Sequence, residues 1–127
     1  MKLNEISEEI QGVWPFLRRE VDINNGSEIA EKGQKLTVIL PRLHFLSAEL
    51  ESIISVMTKN FIDDNGLMNK PYTDQTRSIA IEDQLSELIK LHNTAKGYIK
   101  SIEETLDFYR TLLSYLKQEM SNLNIGK

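Results

Sequence analysis

The chain has 127 residues, 40% of them hydrophobic, which is one domain's worth and enough for a modest core. Its 15 basic and 19 acidic residues leave a formal charge of -4, too mild for the electrostatic footprint of a nucleic-acid binder or a DNA mimic. With no cysteine there is no disulfide framework, no thiolate nucleophile and no cysteine-ligated metal, which fits a reducing compartment.

The first residues, MKLNEISEEIQG, lack an apolar signal-peptide core, and no apolar run approaches the roughly 18 residues of a membrane span. The expectation is a cytoplasmic protein. Leu3, Ile6, Ile10, Val13, Leu17 and Val21 step by three and four and predict a helix over about 4–21. Gly12 and Pro15 break or kink it near 12–15, with Trp14 and Phe16 packing over the ends of longer helices. Residues 22–35 read as a turn around Asn25-Gly26 with a weak short helix for which Ser27 is a plausible cap.

A long helix follows over about 36–62. Leu36, Ile39, Leu43, Leu46, Leu50, Ile53 and Met57 form its seam, and Leu40, Ile54, Val56 and Phe61 widen the apolar face. Pro41 lies within this register, so the helix starts between Gln34 and Thr37 with the proline in its first turn, or continues upstream with a kink; the first is the expectation. Residues 63–77 form a connection longer than the usual two to eight residues, with turn signals at Asn65-Gly66 and Lys70-Pro71. An EF-hand loop built on Gly66 would need acidic ligands where Phe61 and Tyr72 stand. What remains is a surface loop with Leu67, Met68 and Tyr72, which either tuck onto the hairpin end or meet a partner.

The last element is predicted over about 78–122. Its seam is Ile81, Leu85, Leu88, His92, Ala95, Ile99, Ile102, Leu106, Tyr109, Leu113, Leu116, Met120 and Leu123. Twelve of these thirteen are apolar or aromatic, where about five would be expected from composition alone. Within it AKGYIKSIEE combines a stop signal, Gly97, with a capping-box pattern, Ser101 and Glu104. The register does not slip across that stretch, so one helix runs through, about 65 Å long at 1.5 Å per residue. The architecture is all-α: a long antiparallel hairpin plus a shorter N-terminal helix, bundle or coiled-coil-like, completed by oligomerisation.

A second apolar stripe marks this helix. Tyr98, Phe108, Leu112 and Tyr115 share a face away from the seam and form the candidate interface of a homo-oligomer, with a dimer favoured. The alternative is that the N-terminal segment folds back over it. His92, the polar member of the seam, is a candidate register or pH-sensitive element.

Candidate catalysis is absent from the pattern. Around His92 the helical metal-pair offsets hold Leu88, Ile89, Ala95 and Lys96; around His44 they hold Leu40, Pro41, Ser47 and Ala48. No phosphate loop, nucleophile elbow or HExxH occurs. The clusters Glu82/Asp83/Glu87 and Glu103/Glu104/Asp107 read as solvated decoration of a helix. Lys90, Lys96, Lys100 and Arg110, with the pair Arg18/Arg19, are interleaved with acids and disfavour a phosphate-tracking surface. No catalytic residue, metal ligand or cofactor site is assigned.

The chain resembles the small, cysteine-free, all-helical accessory proteins of phages and mobile elements, with a composition rich in Lys, Glu, Asn and Ile. The resemblance implies a protein that acts by binding: a regulatory adaptor or, alternatively, an inhibitor of a host or defence protein. A nucleic-acid-associated accessory role is the second alternative.

Overall fold

The structure, a computed structural model, describes residues 2–66 and 74–125. Leu67, Met68 and Tyr72 lie outside the described residues. The molecule is all-α, with five helical segments among the described residues: α1 Leu3–Gln11, α2 Trp14–Leu17, α3 Gly26–Asp64, α4 Asp74–Gln84 and α5 Ser86–Ile125.

The N-terminal helix stops where glycine and proline punctuate it. Gly12 N–H still bonds Glu8 O at 2.9 Å, and the chain then re-forms a single turn, α2. Pro15 stands at the start of that turn, where a helix does not need its missing N–H. Trp14 does not cover an end: it stacks on Tyr98, in the interior of α5, with ring centroids 6.1 Å apart and planes 14° from parallel.

The largest departure from the sequence reading is the start of α3. The helix begins at Gly26, about ten residues before the expected start, so Pro41 is internal and not in the first turn. Asn25, not Ser27, is the cap: its Oδ1 accepts a hydrogen bond from Glu28 N–H at 3.2 Å, while the Glu28 carboxylate accepts one from Asp22 N–H at 3.1 Å. Packing explains the extension. Ile29 lies seven residues before Leu36, on the same face, and both are fully buried. Gly26 lies beside Leu113 and Leu116, and Gly33 beside the Tyr109 ring. Pro41 deprives the Thr37 carbonyl of its helical donor, a tolerable loss because Pro41 sits on the exposed side, within reach of water.

At its other end α3 stops at Asn65-Gly66. Gly66 adopts φ of 60°, the left-handed region that glycine enters without steric cost, and Asn65 Nδ2 donates to Phe61 O at 2.9 Å. The returning helix starts at Asp74, four residues before the expected position. α4 and α5 are separated only at Leu85, and the bonds Leu85 N–H to Ile81 O and Ile89 N–H to Leu85 O, both 2.9 Å, carry the ladder across. Gly97 lies inside α5, so the stop and restart signals around it are overridden.

α3 and α5 pack antiparallel. Ile29, Leu36, Leu43 and Leu50 on one helix, and Leu88, Ala95, Ile102 and Tyr109 on the other, are buried at seven-residue intervals. α1 and α2 lie over this pair, running against α3: Glu9 meets Arg42, and Lys32 Nζ donates to Arg19 O at 2.6 Å, at the end of α2. Ile6 and Ile10 complete the core. Each fully buried Ile or Leu contributes about 1.5–3 kcal/mol relative to exposure.

Candidate functional site

The α5 stripe predicted from sequence is not one open surface. Tyr98 is half-buried beneath Trp14, and Leu112 packs against the core. Phe108 and Tyr115 remain open, 53% and 58% exposed. Tyr115 O–H donates to the Glu119 carboxylate at 3.1 Å, and that bond, with the negative charge of Glu119, raises the phenol's pKa. The N-terminal segment therefore covers one end of the stripe and leaves the rest.

The open part is extended by an overhang. Gly26 lies opposite Leu113 and Leu116, so α3 begins there while α5 continues to Ile125. Met120 and Leu123, placed in the seam by their spacing, consequently lose their partner helix and are exposed. Phe108, Tyr115, Met120 and Leu123 thus leave apolar surface open along the last five turns of α5.

His92 is half-buried, and its Nε2 is buried with no hydrogen-bond partner among the described residues. Burial and the nearby Lys96 charge lower its pKa, while Glu51 across the interface opposes the shift. The lowered pKa favours the neutral imidazole between α3 and α5. His44 lies on the outer edge of the same contact, 3.6 Å from Glu103.

Among the described residues, no three His, Cys, Asp or Glu side chains gather as a metal site. The groove between α1 and the first turns of α5 is lined by Asn4, Ser7, Gln11, Glu87, Lys90 and Thr94 over Leu88 and Leu91, and it contains no histidine. Burial and the Arg19 charge lower the pKa of Lys32, whose ammonium donates to the Leu17 and Arg19 carbonyls at the end of α2. No described helix is long and apolar enough to cross a membrane.

No family model, curated protein or solved structure matches this chain.

One surface escapes the sequence reading. Val38, Pro41, Phe45, Ala48, Ser52 and Ser55 all lie exposed along the side of α3 away from its seam with α5, and none is charged; Val38, at one end, also borders the groove against Val13 and Phe16. Val38 is 72% exposed and Phe45 46%, the latter with the Arg42 guanidinium over its ring at 5.1 Å. The signal was a second three-four spacing on α3, masked by the stronger seam on its opposite face.

Proposed function

We propose that this protein is a non-enzymatic protein–protein interaction module, a regulatory adaptor that acts through helical surfaces and works as a homodimer. The observation that carries the reading is the open apolar surface of α5: Phe108 and Tyr115 face water beside the core seam, and Met120 and Leu123 do so where the seam outruns α3. Exposed apolar surface on a rigid helix is what a partner's amphipathic helix or groove recognises.

Affinity capture from the native host tests it, with the intact chain compared against Phe108→Glu/Tyr115→Glu. These two positions are preferred to Leu112 because Leu112 packs against the core and its charge variant would unfold the hairpin. A protein retained by the intact chain and lost with the doubly substituted, still helical variant supports the reading. Equal capture by both overturns it.

A further inference from the structure

We propose that a second copy of this chain docks antiparallel on the outward face of α3, which leaves the α5 edge free for the protein partner. The inference rests on the interaction-module reading and names one of its partners. Val38, Pro41, Phe45, Ala48, Ser52 and Ser55 repeat at three and four residues over two and a half heptads, the spacing of a helix-pairing seam, yet they point to solvent. The small residues Ala48, Ser52 and Ser55 allow a second helix to approach closely, and Phe45 and Val38 supply the apolar bulk.

Charge identifies the occupant. Along the flanks of this face the cations Lys35 and Arg42 and the imidazole of His44, a hydrogen-bond partner for a carboxylate, occupy the N-terminal half, and Glu49 and Glu51 the C-terminal half. A helix with that distribution complements its own reversed copy. Setting Phe45 opposite Ala48 of the second copy places Val38 opposite Ser55 and Pro41 opposite Ser52. The same register brings Arg42 beside Glu49 and His44 beside Glu51, each twice by the two-fold symmetry. Glu31 and Lys59, which bound the seam, also come within a turn of each other. A parallel arrangement keeps only His44 against Glu49. The flanking groups are already oriented from within: Arg42 holds Glu9, Lys35 lies 3.5 Å from Glu31, and His44 lies 3.6 Å from Glu103.

Light scattering on the full chain at tens of micromolar reads the result. The unmodified protein is expected at twice 14.6 kDa. Phe45→Glu and Ala48→Arg, both at exposed positions, are each expected to give a monomer with unchanged circular dichroism, and Glu49→Lys/Glu51→Lys to weaken the dimer at least tenfold at low salt. Because the chain lacks cysteine, Asn60→Cys, exposed and outside the seam, takes a single spin label; antiparallel docking sets the two labels about 40 Å apart along the helix axis, from about 1.5 Å of rise per residue. A monomeric unmodified chain, a dimer that survives both α3 substitutions, or labels within about 10 Å, as parallel helices packed at that distance would give, overturns the proposal. A dimer lost only with Phe108→Glu/Tyr115→Glu also overturns it and moves self-association to α5. Monomers that still capture a protein through Phe108 and Tyr115 refute the dimer and leave the interaction module standing.

Discussion

The hairpin has a braced stretch and a bare end, and the same sequence pattern behaves differently in each. Under α1 and α2, the α3 positions Leu36, Leu43, Leu46 and Leu50 are almost wholly removed from water. Beyond them Ile53 and Ile54 are half-buried, and Val56, Met57 and Ile79 are exposed. Met120 and Leu123 repeat the contrast at the opposite end, where α5 outruns α3. A heptad residue is buried by its neighbours, and two helices cover only a narrow strip of each other; full burial needs a third element.

The sharpest test of that contrast is truncation of one side chain in each region. Leu46→Ala or Ile102→Ala should cost about 2–5 kcal/mol in urea denaturation, whereas Met57→Ala should cost less than about 1 kcal/mol. Equal losses would mean that the two ends are equally packed. Gly66→Ala should destabilise by about 1–2 kcal/mol, because alanine strains the left-handed conformation that ends α3. Trp14→Ala probes the brace itself: losing the stack on Tyr98 should cost about 0.5–1.5 kcal/mol beyond lost area and increase the near-ultraviolet mobility of Tyr98.

Gly97→Ala should act in the other direction. A Cβ at Gly97 meets nothing within 4 Å and the site is an ordinary exposed helix interior, so alanine should stabilise by up to about 1 kcal/mol, read as a higher melting temperature. A loss would show that the helix is not continuous there.

The smallest expected effect is on the acid side of neutrality. His92 has a folded pKa below its ordinary 6.5, so the unfolded chain takes up the proton first as pH falls. The contribution of neutral His92 is present above about pH 6.5 and is lost as pH drops through that value towards the depressed folded one. His92→Leu should flatten this part of the stability curve, and identical curves for the two proteins would remove His92 from the account.

Much of the fold is legible in the residues. The seam from Leu85 to Leu116 places α5 correctly, and Asn65-Gly66 marks the end of α3. The start of α3 is not legible, because Gly33 and Pro41 look like breakers and Ile29 is a single apolar residue in a polar stretch. Its burial against α5, eighty residues away in sequence, outweighs those local penalties. The candidate surfaces divide in the same way. Phe108 and Tyr115 could be named from their spacing, but the cover over Tyr98 comes from Trp14, whose partner no local pattern reveals. The α3 face was hidden because a helix read one residue at a time yields its strongest stripe first.

What the sequence determined by itself is therefore the class of fold, the heptad register of α3 and α5, and the continuity of α5 through Gly97. These follow from periodicity, which depends only on the geometry of a single helix. Tertiary structure alone decided where α3 begins, which heptad positions are buried and which faces remain open to a partner. Those outcomes depend on how far each helix extends beside its neighbours, and a side chain loses its water only where another element is present to replace it.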